Sequence, residues 1–183
     1  MRKQKVVTND EKKTKAKPQT KKQKLRSALL YTLFALVVVF GVDYWRTKDV
    51  PMQNVPPMVG VSLSGKPIDV IEMSKKEPVL VYFWTTWCVT CKFVTPVVDW
   101  FSSSYPVVGV SLTSGKDERV QRYMNAKGYS YDNINDTQGK IARDWGISLT
   151  PTLIVINDGK VTSVTSGITT PIGIAARLWL AKY

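Results

Sequence analysis

Two cysteines set two residues apart constrain this chain more than any other feature of its sequence. Cys88 and Cys91 are the only cysteines among 183 residues. They follow the apolar run PVLVYFW (78–84), which is rich in β-branched and aromatic residues and predicts a strand buried on both faces. A segment of helical periodicity comes after them, so the pair lies where a buried strand ends and a helix begins. The apolar positions of that helix are Phe93, Val94, Val97, Val98 and Phe101.

Four interpretations compete for the cysteine pair: a redox dithiol, half of a metal site, a structural crosslink, or coincidence. A structural zinc site needs four ligands, and the chain has no histidine and no second cysteine pair. A crosslink across two residues would constrain the unfolded chain little. A helix N-terminus instead stabilises a thiolate at Cys88 and places Cys91 nearly one turn further on, where it can resolve a mixed disulfide. Redox chemistry is therefore favoured, and a copper(I)-binding dithiol remains as the alternative.

The rest of the chain alternates between strand and helix signals. This order predicts an α/β fold in which helices flank a mixed central sheet, because the late hairpin adds antiparallel strands to a sheet that begins parallel. The predicted strands are a hairpin within 61–70, then 78–84, 107–112, 151–156 and 160–167, and the predicted helices lie within 88–104, 115–128, 137–147 and 170–183.

Positive charge is concentrated at the N-terminus. Residues 1–26 hold eleven Lys and Arg against Asp10 and Glu11, so most of the chain's net charge of +12 belongs to this segment. It has no apolar periodicity, and we expect a disordered tail. A nucleic-acid-binding arm is not favoured, because a cytoplasmic segment before a transmembrane helix is expected to be rich in Lys and Arg.

An uncharged apolar stretch follows the basic segment. Residues 27–42 carry no charge, and with Tyr44 and Trp45 the stretch 27–45 is long enough to cross a bilayer core as a helix. No small-x-small cleavage site follows it, and it lacks the polar stripe of a buried helix in a soluble protein. We therefore expect an uncleaved transmembrane signal anchor, a linker at 46–60 and a folded domain at 61–183. The basic segment would stay cytoplasmic, and the domain would lie in the periplasm at the inner membrane.

Two stretches of this domain resemble a known family. VYFWTTWCVTCK (81–92) and GISLTPTLIVINDGKV (146–161) are similar to the active-site motifs of a thioredoxin fold, and the anchor and intervening segment resemble its TlpA-like branch. The closest likeness is to membrane-anchored disulfide oxidoreductases of the suppressor-of-copper-sensitivity D type. The resemblance implies that Cys88 and Cys91 are catalytic, with no cofactor or metal. It also implies that Trp87 and a cis Thr150–Pro151 peptide bind an extended substrate segment.

The departures from the family pattern bear on the direction of the reaction. Tyr82 stands where thioredoxin has a buried carboxylate, and Val94 stands where cytochrome c maturation members have an acid. With Val89-Thr90 between the cysteines, no imidazolium can stabilise the Cys88 thiolate, which argues against a strong oxidant. We expect a reductase of envelope protein disulfides that receives electrons from a membrane thiol transporter of the DsbD type. A disulfide-donating oxidase, a copper(I) chaperone and a cytochrome c maturation thioredoxin are the alternatives.

Overall fold

The computed structural model describes residues 21–52 and 55–183, where helices and strands alternate along most of the chain. The helices are α1 (Lys21–Thr47), α2 (Val70–Ser74), α3 (Cys91–Phe101), α4 (Asp117–Lys127), α5 (Lys140–Asp144) and α6 (Pro171–Lys182). The strands are β1 (Val59–Val61), β2 (Pro67–Asp69), β3 (Val79–Trp84), β4 (Val107–Leu112), β5 (Asp132–Asp136), β6 (Thr152–Asn157) and β7 (Lys160–Ser166).

A five-stranded mixed sheet forms the centre of the domain, in the order β5-β4-β3-β6-β7. Strand β3 pairs parallel with β4 and antiparallel with β6, so it lies between two neighbours and all six of its side chains are buried. Strands β4 and β5 are parallel, and β6 and β7 form the antiparallel hairpin. The predicted α/β fold with a mixed sheet is therefore confirmed. A separate hairpin of β1 and β2 precedes it.

Alternate residues of the strands supply two hydrophobic cores, one on each face of the sheet. Leu80, Tyr82 and Trp84 of β3 belong to the core that includes both cysteines and the buried faces of α3, α4 and α6. Val81 and Phe83 point to the other face, where Met58, β2 and the region of α2 and α5 close the second core. This alternation follows from the two-residue period of side chains along a strand.

The strand β5 and the short helix α2 were not predicted. The sequence of β5 is Asp-Asn-Ile-Asn-Asp, which lacks the apolar or β-branched run that marks a strand. It forms an edge strand because β4 provides a parallel partner for it, so its pairing is a tertiary effect. Helix α2 has only five residues and is capped by Asp69, whose carboxylate accepts hydrogen bonds from the first-turn N–H groups of Ile71 and Glu72.

The segment before the domain differs from the expectation in its boundaries. Helix α1 begins at Lys21, whereas the predicted span begins at residue 27, and residues 1–20 of the predicted tail lie outside the described residues. Val50 and Met58, within the predicted linker, are buried in the core of the unit formed by residues 40–183. Among the residues that the structure describes, no helix is long and apolar enough to cross a membrane.

Candidate active site

Cys88 and Cys91 form a disulfide at the N-terminus of α3. Cys91 is 1% exposed and Cys88 is 8% exposed, so Cys88 is the more accessible of the two cysteines. The backbone N–H of Cys91 donates to the Cys88 sulfur across 3.1 Å. This N–H is one of the amides that a helix leaves unpaired in its first turn, and in the reduced protein it stabilises a thiolate at Cys88.

The peptide bond between Thr150 and Pro151 is cis and lies against the disulfide. The Thr150 carbonyl oxygen is 3.6 Å from the Cys88 sulfur, although the two residues are 62 positions apart in the chain. The predicted cis bond and its place facing the cysteines are confirmed. The Pro151 carbonyl in turn accepts a hydrogen bond from the N–H of Gly167, which ties this loop to the end of β7.

The loop that leads from β3 into the cysteines is hydrogen-bonded to Ser114. The N–H of Thr86 donates to the Ser114 hydroxyl across 3.0 Å, and that hydroxyl donates to the carbonyl of Leu112 at 2.9 Å. Ser114 is itself buried in the loop between β4 and α4. The loop between β4 and α4 therefore holds the backbone two residues before Cys88 through this hydrogen bond.

A buried chain of hydroxyl groups supports the first turn of α3. The Thr95 hydroxyl donates to the Cys91 carbonyl at 2.6 Å and lies 2.8 Å from the Tyr82 hydroxyl. Because Thr95 has one hydroxyl hydrogen and uses it on Cys91, Tyr82 must be the donor in the second bond. Burial raises the pKa of Tyr82 well above its usual value, so this side chain remains a neutral donor at physiological pH.

Aromatic rings line the core beneath the disulfide. Tyr82 packs parallel to Trp84, and Tyr131 meets both of them edge-on at centroid distances of 6.3 and 6.4 Å. Burial raises the pKa of Tyr131 as well. The Trp84 indole N–H donates to Asn133 at 2.9 Å, which binds the end of β3 to β5. No carboxylate contributes to these hydrogen bonds, whose side-chain partners are hydroxyl, indole and amide groups.

Trp87 lies beside this site with 63% of its side chain exposed. A shallow groove of about 150 Å³ runs between Trp87 and Thr150 and is continued by Leu149, which is partly exposed. The groove is open and half apolar, which suits an extended segment of another protein better than a small molecule. The substrate-binding roles of Trp87, Thr150 and Pro151 remain predictions.

The structure brings all five predicted site residues together around one disulfide. Three contributors were not predicted: Thr95, Ser114 and Gly167. Thr95 follows Cys91 by four residues in a helix, and that spacing alone could have identified it. Ser114 and Gly167 act through backbone contacts between loops, for which the sequence carries no pattern. Thr90 lies at the N-cap of α3, and its side chain makes no capping hydrogen bond.

A larger cleft of about 700 Å³ lies elsewhere, around Trp100, Tyr105 and Ser130. It is lined by the N-terminal ends of β4 and β5, whereas the disulfide follows the C-terminal end of β3. Because β3, β4 and β5 are parallel, the cleft and the cysteines lie at opposite ends of these strands. Among the described residues, no three Cys, Asp or Glu side chains lie close enough to hold a metal ion.

Comparison with known proteins agrees with this geometry. The redoxin family model matches residues 49–172. The chain belongs to the redoxin family. It is 31% identical to a thioredoxin-like protein of Haemophilus influenzae over 88% of this chain and 97% of that protein. It is 28% identical to the thiol-disulfide oxidoreductase ResA of Bacillus subtilis over 64% of this chain and 68% of ResA.

Solved structures show the same fold. The crystal structure of StoA from Bacillus subtilis matches this redoxin with a TM-score of 0.60 at 21% identity, covering 69% of this chain and 98% of StoA. The thioredoxin-like fold inferred from the sequence motifs is thereby confirmed. With relatives such as ResA and a Cys88–Cys91 pair in a thioredoxin-like fold, this redoxin is a thiol–disulfide oxidoreductase. The predicted enzyme class is confirmed.

Proposed function

We propose that this redoxin is anchored in the inner membrane and reduces disulfides of envelope proteins in the periplasm. The contact of the Cys88 sulfur with Thr150 carries the proposal, because it places the accessible sulfur beside a backbone edge that an extended substrate can pair with. Cys88 is then the nucleophile and Cys91, nearly inaccessible, is the resolving residue.

The exchange proceeds in two displacements. In the dithiol form, the Cys88 thiolate attacks one sulfur of a substrate disulfide and releases the other as a thiolate, which takes up a proton from water. The Cys91 thiol then loses its proton to water and attacks the Cys88 sulfur, which breaks the mixed disulfide and releases the second substrate sulfur as a thiolate that takes up a proton. Two electrons pass to the substrate, and the redoxin returns to the disulfide form.

The surroundings of Cys88 support reduction rather than donation of disulfides. A strong oxidant requires a reduced form in which several groups stabilise the thiolate. The described contacts give the Cys88 sulfur one backbone N–H, from Cys91, and the chain has no histidine to add an imidazolium. With so little stabilisation of its thiolate, the pair gives up electrons readily and therefore favours reduction of a partner.

The anchor in this proposal is α1. Its sequence carries no charge from residue 27 to residue 42, a count that includes positions whose side chains lie outside the described set. The large apolar side chains that are described there, such as Leu29, Leu33 and Phe34, are exposed. Exposed apolar groups on all sides of a helix suit a hydrocarbon environment, and the lysines before them favour a cytoplasmic N-terminus.

Reduction in an oxidising compartment needs a supply of electrons. We infer a membrane thiol transporter of the DsbD type as the donor, since the proposed anchor keeps the domain beside the bilayer in which such a donor lies. The substrates are disulfides of envelope proteins, bound at Thr150 and Pro151 and beside Trp87.

The reduction potential of the Cys88–Cys91 pair tests the direction of electron flow. The full chain is equilibrated in detergent with glutathione or dithiothreitol buffers, and the dithiol fraction is measured by thiol alkylation. A value near about −270 mV, or somewhat above, supports the reductase. A value near about −120 mV would assign the protein to disulfide donation. The Cys91→Ala variant should trap partners as mixed disulfides on Cys88, whereas Cys88→Ala should trap none.

The location is tested separately. The full chain should remain with membranes after alkaline extraction, and a variant that lacks residues 21–45 should not. The domain should be digested by protease in spheroplasts and protected in intact cells. Release of the full chain by alkali, or protection of its domain in spheroplasts, would contradict the proposed anchor or its orientation.

A further inference from the structure

The outward face of α3 is apolar although it is exposed to solvent. Phe93 and Trp100 are 70% and 66% exposed, and Pro96 between them is exposed as well. These positions are three and four residues apart, so they form one stripe on the helix surface. The opposite stripe, which includes Val94 and Val98, is buried in the core. Helix α3 therefore has two apolar faces and only one of them is covered.

Helix α6 has the same property over a longer stretch. Ile174, Leu178 and Ala181 face the core. The exposed residues on the other side also follow helical spacing, and four of them are large apolar side chains. A surface helix ordinarily places polar residues there. The exposed stripe of α6 is Ile172, Ala175, Ala176, Trp179, Leu180 and Tyr183.

The two stripes belong to one side of the domain. Helices α3 and α6 both pack against the sheet face that holds Leu80 and Leu153. Strand β7 runs in the direction of β3, because each is antiparallel to β6, and α6 starts after β7 as α3 starts after β3. The two helices therefore run in the same direction over one face of the sheet, with Phe93 and Ile172 towards the end that holds the disulfide and Trp100 and Tyr183 towards the other end. We refer to these outward stripes together as the α3/α6 face.

Helix α4 shows that this side of the sheet does not require an apolar exterior. It packs on the same core through Val120 and Met124, yet its outward residues are polar or charged apart from Ala126. The apolar exterior is thus specific to α3 and α6. Exposed aromatic and aliphatic residues concentrated in one patch mark a binding surface.

The charges on these two helices indicate what binds there. Their ionisable side chains are Lys92, Asp99, Arg177 and Lys182, which leaves an excess of positive charge. The Asp99 carboxylate is engaged by the backbone N–H of Ser130 at 2.6 Å. Trp and Tyr side chains next to Lys and Arg are the residues that settle at the headgroup level of a bilayer, where the cations meet anionic lipids.

We propose that the α3/α6 face binds the surface of an anionic phospholipid bilayer. A second copy of the chain fits less well, because a two-fold contact through this face would bring its lysines against those of the partner. Docking lays both helices along the membrane and holds the Cys88–Cys91 end of the domain at the headgroup level. The inference goes beyond the proposed function, since it concerns the domain's own surface and depends neither on α1 as an anchor nor on the direction of electron flow.

Quenching of tryptophan fluorescence by brominated lipids tests the proposal. The full chain is reconstituted into vesicles of phosphatidylethanolamine and phosphatidylglycerol, with brominated or ordinary acyl chains. Wild type is compared with the Trp100→Phe/Trp179→Phe variant, and Trp45 of α1 is common to both. Quenching of Trp45 should be the same in both proteins. We expect wild type to show additional quenching, from Trp100 and Trp179, that the variant lacks. Both replaced residues are exposed, so the variant should keep the thermal stability of wild type.

A charge pair tests the lipid specificity. In the Lys92→Gln/Lys182→Gln variant we expect the ratio of docked to undocked protein to fall about fivefold for each lysine neutralised. The matched control, Lys76→Gln/Arg143→Gln, removes two exposed cations from segments that pack on the other face of the sheet and should leave that ratio unchanged.

Three outcomes would overturn the proposal. The first is equal quenching in wild type and the Trp100→Phe/Trp179→Phe variant, which would mean that the α3/α6 face does not contact lipid. The second is quenching that is unaffected by removal of phosphatidylglycerol and by the lysine substitutions. The third is a chemical crosslink between two chains through α6, which would assign the face to a second copy of the protein.

Discussion

Removal of the Thr95 hydroxyl tests whether the buried hydroxyl chain beneath the disulfide stabilises the domain. Valine has nearly the volume of threonine, so Thr95→Val leaves no large cavity. It removes the hydrogen bond to the Cys91 carbonyl, and it leaves the Tyr82 hydroxyl without its partner in a fully buried site. An orphaned buried hydroxyl costs about 1–3 kcal/mol, and a lost hydrogen bond about 1 kcal/mol. We therefore expect the free energy of unfolding to fall by about 2–4 kcal/mol.

The double variant makes the prediction specific. Tyr82→Phe alone removes one hydrogen bond but orphans no donor, because Thr95 still donates to Cys91, so we expect a loss of about 1 kcal/mol. In the Thr95→Val background the same change removes the orphaned hydroxyl and should be neutral or stabilising. The double variant should thus be no less stable than Thr95→Val, which gives a coupling energy of at least about 1 kcal/mol.

Urea unfolding of the oxidised protein, followed by tryptophan fluorescence, measures these differences. A loss of 2 kcal/mol should also lower Tm by roughly 4–8 °C for a domain of this size. Thr95→Ser keeps the hydroxyl and should retain most of the stability lost in Thr95→Val. Additive losses from Thr95→Val and Tyr82→Phe would refute the hydroxyl chain as described.

Three further outcomes follow from the structure. Burial raises the folded-state pKa of Tyr82 and Tyr131, so the folded protein binds more protons than the unfolded one above about pH 10. The free energy of unfolding should therefore fall as pH rises beyond that point. The fall should be less steep in the Tyr82→Phe variant. Gly109→Ala should destabilise the domain by about 1–3 kcal/mol in urea unfolding, because a Cβ there would lie 2.6 Å from the Asn133 amide oxygen. Trp87→Ala should change stability by less than about 0.5 kcal/mol yet lower kcat/KM toward a protein disulfide, with no change in reduction potential; unchanged kcat/KM would remove Trp87 from the docking surface.

The active-site core could be predicted because its determinants are local. The apolar run of β3 and the helical spacing after Cys91 identify a strand–helix junction, and the cysteines lie at it in the sequence itself. The proximity of Thr150 to Cys88 was predicted only from the family resemblance, since 62 residues separate the two in the chain. Spacing alone allowed Pro151 to be no more than the start of a strand.

The parts that could not be predicted depend on contacts between distant segments. Strand β5 carries no strand signal and forms because β4 offers it hydrogen-bonding partners. Ser114 and Gly167 act through single backbone contacts, and such contacts leave no periodic pattern. The apolar residues of α6 were visible in the sequence, but periodicity cannot say which of two apolar faces is covered.

The sequence by itself determined the redox pair, the order of most strands and helices, and the concentration of charge at the N-terminus, because each depends on residues near one another in the chain. Only the tertiary structure decided which groups surround the sulfurs, which of the Tyr82 and Thr95 hydroxyls donates the hydrogen bond between them, and which sides of α3 and α6 remain exposed. These properties arise when the sheet brings distant segments within hydrogen-bonding or packing distance, and burial then fixes which polar groups must pair and which apolar surfaces stay uncovered.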